Sequence, residues 1–505
     1  MTGDGIINAV EGMGYTDSGM SSAYVCPDHD RRGSGRVPGL PGQVQTLGSG
    51  HQAAANHFSQ APIRGFGGQE CKSVPVPMVC SAIRAANMDP LEVFKKNFVR
   101  DGDRYIWRDN LWWDVRSVDY TRAFEESAKA FGWKDKWKGW ETPTWVSPDG
   151  RYAIGVGVGV HGNADMARIP QGHGQAASLR LGDAGAVRGR ARCFAVQKMV
   201  AEVMKVPMDG VQVVDPDTRY RLRCGHDRLP AAPSNMGTTA VRAAQDVRRK
   251  LLKMASVKLT INVDELDTAA FLVFSVRHPE RRLPWIAITG SARHQQNFGK
   301  TNFALYLAEV CVNLETGEVR LIRALEGSDV DKIIDPISIR MQAEGSLGAA
   351  GGDAGLFEKM VMDKKLGRFM TGNMIGYKWR TFNNFSCFDT VLLESEWDTE
   401  AFHAVGFGEI TPSPAPAAIL MAVSDAIGHE ITEYPCSPTV VLRAMGKIKS
   451  YDASIQLAHR TVPFSFENSI TSPSQPAARY TRARPGAPAG SGAGCRPSEG
   501  PAGRD

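Results

Sequence analysis

Residues 151–160 read RYAIGVGVGV. Large apolar side chains fill every second position: Tyr152, Ile154, Val156, Val158 and Val160. A period of two places them on one face of a strand. Around this strand the chain alternates helical and extended patterns. Residues 195–206 align Val196, Met199, Val200, Val203 and Met204 on one helical face, and Pro207 stops that helix. A short strand follows at Val211–Val214. Residues 238–254 predict a second helix through Val241, Ala244, Val247, Leu251 and Met254. Strands are expected at Val257–Val263, Phe271–Val276 and Trp285–Thr289. Residues 303–322 read as a hairpin, with arms FALYLAEVCV and VRLI and a turn at Glu315-Thr316-Gly317. Two helices close the patterned part. One runs from Pro416 to a stop at Gly428. The other is capped by Ser437, has Pro438 in its first turn and stops at Gly446. Strands in runs, mixed with packed helices, indicate an α+β fold.

Residues 27–60, 167–193, 218–234 and 451–505 lack any period and are rich in Gly, Arg, Ala, Pro and Ser. The last is expected to be a disordered tail. Trp107, Trp112, Trp113, Trp133, Trp137, Trp140 and Trp145 cluster within one short stretch. They read either as an aromatic pocket or as packing at a boundary, and packing is the simpler reading.

The chain has 505 residues, 42% hydrophobic and 22% charged, which is too long for one core and too balanced for a disordered polymer. No apolar run approaches the ~18 residues of a spanning helix, and no secretory leader is visible. The nine cysteines are scattered singly and never in C-x-x-C spacing, so neither a zinc ribbon nor a thiolate-held iron–sulfur cluster is encoded. A reducing, cytoplasmic setting is expected. The net charge of +5 is uneven: residues 168–192 and 479–505 carry +4 and +3, leaving −2 for the rest. Neither basic segment interleaves aromatics for base stacking, which argues against a nucleic-acid partner.

Three short motifs carry chemistry. Ile63-Arg64-Gly65-Phe66-Gly67-Gly68 lets backbone approach a ligand closely. Gly406-Phe407-Gly408-Glu409 places a carboxylate on a glycine-rich turn ahead of a helix, where burial would make it a general base. Gln342, in QAEGS at 342–346, both donates and accepts, which suits a polar cofactor. Each also has a plain structural explanation: a ligand-free glycine turn, an exposed loop carboxylate, an ordinary helix glutamine.

In order along the chain, the motifs resemble those of one family. The strings are IRGFGGQE (63–70), KMVAEVMKVPMDGVQVVDPDT (198–218), MGTTAVRAAQDV (236–247), the hairpin (303–322), QAEGSLGAA (342–350), TGNMIGYKWRT (371–381) and VGFGEITPSPAPAAILMAVSDAIG (405–428). The chain is similar to the molybdenum-binding large subunit of the xanthine dehydrogenase and aldehyde oxidase family, the molybdenum hydroxylases. The resemblance implies the C-terminal part of that family's two-domain molybdopterin-binding fold. Residues 1–115 would be a remnant of the first domain and 116–450 the second.

It also implies molybdenum on a molybdopterin, with the cytosine dinucleotide form as one option. An aldehyde or N-heteroaromatic carbon would be hydroxylated with water-derived oxygen. Glu409 would be the catalytic base. Arg64, Gly65, Phe66, Gln342 and Gly408 would bind the cofactor, with no protein ligand to the metal itself. Electrons would pass to separate iron–sulfur and FAD subunits, in a homodimer of the multi-subunit unit. The sequence also departs from the family. GAVRGRARCFAVQKM (185–199) stands where the family has a G-Q-G loop, and RYRLRCGHDRLPAAPSN (219–235) stands where it has a pterin loop. These departures suggest segments translated out of frame, and a second reading: a fragmentary, non-catalytic subunit that binds no cofactor.

Overall fold

The computed structural model describes residues 1–17, 44–52, 64, 68–69, 73, 75–100, 102–106, 112–114, 120–164, 175–181, 187–189, 194–213, 237–287, 291–296, 301–346, 355–357, 360–361, 363, 366, 368–384, 387–395, 402 and 407–449. All belong to one compact unit, Met1–Arg460. The expected tail at 451–505 lies outside the described residues.

In chain order the strands and helices are β1 (Ala9–Asp17), β2 (Val44–Gln52), α1 (Pro75–Ala85), α2 (Pro90–Asn97), β3 (Arg104–Ile106), β4 (Trp112–Asp114), α3 (Tyr120–Phe131) and α4 (Trp133–Lys136). Next come β5 (Trp145–Val146), β6 (Tyr152–Ala164), β7 (Gln175–Leu181), β8 (Val187–Gly189), α5 (Phe194–Met204), β9 (Val211–Val213) and α6 (Gly237–Leu259). Then follow β10 (Leu266–Ala269), β11 (Leu272–Ser275), β12 (Arg282–Pro284), β13 (Ser291–Gln296), β14 (Thr301–Asn313) and β15 (Val319–Asp329). The described elements end with α7 (Pro336–Gly345), β16 (Cys387–Leu393), α8 (Ala415–Ile427) and α9 (Pro438–Ala444).

β6 is the strand expected from RYAIGVGVGV, but both of its faces are covered. Val156, Val158 and Val160 enter a core with Ile83, Phe94, Phe98, Tyr120, Phe124, Phe303, Leu305 and Leu307. The other face carries the glycines. A Cβ built on Gly155, Gly157 or Gly159 would lie 2.3, 2.2 and 2.0 Å from backbone atoms of Ala426, Ala418 and Pro414. Helix α8 therefore rests directly on bare strand backbone. Alternation of valine and glycine encodes two buried faces of unequal depth, rather than one wet and one dry.

The sheet around β6 has the order β16-β15-β14-β6-β5. β14 and β15 form the expected hairpin, antiparallel, and β16 joins β15 in parallel. Asn313 Oδ1 accepts from the amides of Glu315 and Thr316, and Gly317 adopts φ +75°, which closes the turn. The layers are thus α1–α3 on one face of the sheet and α8 on the other. α8 is apolar nearly all round, as a helix buried on every side must be, and Gly428 at φ +69° ends it. Ser437 precedes α9 as expected, yet its side chain makes no capping hydrogen bond.

A second core lies under α5 and α6. Val196, Val200, Met204, Val247, Leu251, Leu266, Val273 and Trp285 pack there. α6 corrects two expectations. It continues to Leu259, so Val257–Val263 is not a strand but a helix end followed by a 3-10 turn at Val263–Glu265. Met254 is 39% exposed, and Ala255 takes the buried seam position instead. Val257 is β-branched, but at 81% exposure it lies outside the seam, and helix continuity overrides its strand preference. Trp285–Ala287 is likewise a 3-10 turn rather than the start of a strand. The aperiodic stretches are not wholly irregular: β2, β7 and β8 fall within them. Backbone pairing, which needs no side-chain period, supplies these strands: β7 pairs with β13 and with β8.

Trp133, Trp137 and Trp140 pack together, whereas Trp145 is 47% exposed. Trp133 is buried and stacks on Trp137 with centroids 5.6 Å apart, and Trp137 meets Trp140 edge-on at 5.1 Å. The Trp133 indole donates to Asp89, and the Trp140 indole donates to the Met88 carbonyl. Trp107 lies outside the described residues, as do the side chains of Trp112 and Trp113.

Candidate active site

Three segments distant in sequence converge beside α7 and the start of α8. α7 follows Asp335 and begins with Pro336, whose fixed φ suits a first helical position. Lys198 of α5 pairs with Asp335 at 2.9 Å and ties this end of α7 to the second core. Near the other end, Gln342 offers its main-chain carbonyl to Arg64. The turn before α8 is anchored by Phe407 and Ile410, both buried with Ala304, Val330 and Ala343. That anchoring leaves Gly408 and Glu409 half-buried at the surface of the cluster.

Arg64 joins the segments. Its Nε donates to the Gly408 carbonyl at 2.5 Å. Its Nη2 donates to the Gln342 carbonyl at 2.6 Å and to Thr411 Oγ1 at 2.8 Å. Gln69 Nε2 donates back to the Arg64 carbonyl at 3.5 Å. Burial pulls the guanidinium down from its ordinary pKa, while the nearby carboxylates of Glu326 and Glu409 hold it up. Charge-assisted bonds to two carbonyls and a hydroxyl offset much of that desolvation.

The side chain of Gln342 is exposed and makes no hydrogen bond among the described residues. Its Oε1 lies 3.1 Å from where a Cβ on Gly408 would stand. Glycine at 408 lets the Gln342 amide lie close over the turn, where a Cβ would push it back by a few tenths of an ångström. Arg64 Nη1 sits 3.1 Å from the corresponding position of Gly345. The arrangement presents an amide with both donor and acceptor, a fixed cation and a carboxylate within one small region. Such a donor set fits a polar, anionic heterocyclic cofactor.

Of the expected site residues, the structure thus brings Arg64, Gln342, Gly408 and Glu409 together. Gly65 and Phe66 lie outside the described residues. Three residues were not singled out in the sequence. Thr411 is fully buried and shares Arg64 with the two carbonyls. Ser346 and Glu326 are fully buried and hydrogen-bonded to one another. Thr411 lies two residues beyond Glu409, so proximity to the motif was a signal for it. β15 also carries Arg320, Arg323 and Asp329, so an acid at 326 did not stand out, and only its burial within residues 324–329 marks it.

Residues 129–385 match the family model for a molybdopterin cofactor-binding domain. The chain belongs to that family. It is 23% identical over 446 residues to the xanthine dehydrogenase molybdenum-binding subunit of Escherichia coli O157:H7, covering 83% of this chain and 58% of that one. It is 25% identical over 350 residues to the aldehyde oxidoreductase molybdenum-binding subunit PaoC of Escherichia coli K12, covering 64% of this chain and 45% of that one. Among solved structures, quinoline 2-oxidoreductase from Pseudomonas putida 86 superposes with a TM-score of 0.73 at 19% identity, over 88% of this chain and 61% of the other. The chain therefore spans about half to three-fifths of the length of the relatives it matches. The shared architecture is the molybdopterin-binding fold that the motif series implied. No helix among the described residues is long and apolar enough to cross a membrane.

Proposed function

We propose that this chain forms the molybdopterin-binding part of a molybdenum hydroxylase. The observation that carries the reading is the convergence of Arg64, Gln342 and Gly408 beside Glu409, from segments separated by as many as 344 residues. When bound, the cofactor supplies a Lewis-acidic metal and a two-electron acceptor. The chain's own residues supply the rest. The Gln342 amide hydrogen-bonds the pterin. Arg64 fixes the Gly408 turn and keeps a positive charge beside the cofactor. Phe66 packs on a flat substrate. The Glu409 carboxylate takes a proton from the attacking oxygen, a role worth about 10²–10⁴ in rate.

The substrate class consistent with this reading is an aldehyde or an electron-poor N-heteroaromatic carbon, hydroxylated with oxygen from water. Electrons would leave through iron–sulfur and FAD subunits, and the cofactor would be the plain or cytosine dinucleotide form. A homodimer of the multi-subunit unit, with Gly65 among the cofactor-binding residues, completes the proposal. The test is molybdenum content and turnover of the chain expressed with its neighbouring subunits. Near-stoichiometric metal, retained in Glu409→Gln with turnover at least about 100-fold lower, is the expected result. Absence of metal, or an unimpaired Glu409→Gln enzyme, would overturn it.

A further inference from the structure

Thr411 lies in the turn between Glu409 and helix α8 and has no exposure to solvent. Its main chain is held independently of its hydroxyl. Ile410 beside it is buried with Ala304, Val330 and Ala343, and the Ser413 amide donates to the Ile410 carbonyl at 3.3 Å. The hydroxyl therefore stands at a place set by the turn. Arg64, 347 positions away in the chain, donates to it from Nη2 at 2.8 Å. A guanidinium offers no acceptor, so the hydroxyl accepts this bond and its own proton must go elsewhere. Two main-chain carbonyls lie within reach of it, Gly408 at 3.4 Å and Gln342 at 3.5 Å. The same two carbonyls accept from Arg64, Gly408 from Nε at 2.5 Å and Gln342 from Nη2 at 2.6 Å. One buried hydroxyl thus closes a network over the Arg64 loop, the end of α7 and the turn that carries Glu409.

We propose that Thr411 is a positioning residue for Arg64: a fixed hydroxyl that seats Nη2 and, through its own proton, gathers the Gln342 and Gly408 main chains around the guanidinium. Its part in a cofactor site rests on the reading of Arg64, Gln342 and Glu409 proposed above, but the seating itself does not. Hydrogen bonds from a charged donor are among the strong ones, and a hydroxyl lost from a fully buried position is not replaced by solvent. Without it, Nη2 keeps a single acceptor, the Gln342 carbonyl, and the guanidinium is free to swing about its bond to Gly408. The loop need not move with it, because the Arg64 carbonyl is steadied separately by Gln69 Nε2 at 3.5 Å. Loss of the hydroxyl therefore releases the Arg64 side chain while the fold around it stays in place.

The experiment is arginine labelling of the full chain with phenylglyoxal, with Arg64 followed by peptide mass mapping. Arg323, bonded to Asp389 at 2.7 and 2.9 Å, serves as the internal reference. Thr411→Val keeps the shape of the side chain and removes the hydroxyl. Thr411→Ser keeps the hydroxyl and removes the methyl. Arg64 is expected to label about tenfold faster in Thr411→Val than in the wild type, with Arg323 unchanged, and at the wild-type rate in Thr411→Ser. Equal labelling of Arg64 in wild type and Thr411→Val would overturn the proposal. An equal rise in Thr411→Ser would overturn it too, by assigning the effect to methyl packing, as would an equal rise at Arg323, by assigning it to a loosened fold. Should Thr411→Val not fold, Thr411→Ala, which also lacks the hydroxyl and needs no more room, takes its place with the same expectation. None of these outcomes depends on molybdenum, so a chain that takes up no metal would overturn the cofactor reading alone.

Discussion

Asp425 shows what one buried carboxylate does to the pH response of the molecule. It lies near the C-terminal end of α8, where the helix dipole disfavours negative charge. Its Oδ2 accepts from the Val156 amide of β6 at 2.9 Å, and its Oδ1 has no partner among the described residues. A cavity of about 30 Å³ lies beside it, lined in part by Cys80, Trp140 and Met421. Burial pushes the acid up to about 7 from an ordinary 3.8. The folded state therefore binds a proton that the unfolded state has already released. Stability from this group is fully present below pH ~4 and is lost as the pH rises toward 7. Asp425→Asn keeps an acceptor for Val156 and removes the charge. Denaturant unfolding at pH 8 is expected to find the variant more stable by on the order of 2–4 kcal/mol, with the difference vanishing near pH 4. A constant difference across that range would refute the assignment.

At the scale of elements, the contact of α8 with β6 is tightly constrained. It works because Gly155, Gly157 and Gly159 remove three side chains in a row and Ala418, Ala422 and Ala426 answer with small ones. Gly157→Ala would set a methyl 2.2 Å from the Ala418 carbonyl oxygen and 2.4 Å from the Ala422 amide. Backbone cannot yield as a flexible side chain does, so the helix must move. Overpacking of this kind costs about 3 kcal/mol. Because α8 starts just after Glu409 and Thr411, the displacement would also loosen the Arg64 contacts. Chemical denaturation should show the lost stability, and an unchanged midpoint would mean that the helix is not seated as described.

At the scale of the whole molecule, an aromatic cluster helps to join the sheet to the chain before it. Phe303 of β14 is fully buried, with ring centroids 4.8 Å from Phe98, 4.8 Å from Tyr120 and 5.1 Å from Phe124. Residues from α3 and the end of α2 therefore share a core with the central strands. Phe303→Ala would leave a cavity at this junction and cost about 3–5 kcal/mol. A single unfolding transition shifted to lower denaturant is expected. Early loss of α1–α3 alone would show that they are a separate cooperative unit.

Local pattern determined much of this protein from sequence alone. Period-two valines placed β6, the turn at Glu315-Thr316-Gly317 placed the hairpin, and glycine after an apolar run ended α8. The order of otherwise weak motifs was enough to identify the family. These signals are legible because they depend on neighbours within a turn or a strand. What lay beyond them was decided by tertiary contact. Glycine on the second face of β6 looked like a gap until α8 filled it. Val257 looked like strand until α6 extended through it. Arg64, Gln342 and Gly408 could be named separately, but their meeting depends on β14, β15, α7 and α8 folding together. Glu326 did not stand out among the charged residues of β15, and only the fold marks it, by burying it against Ser346.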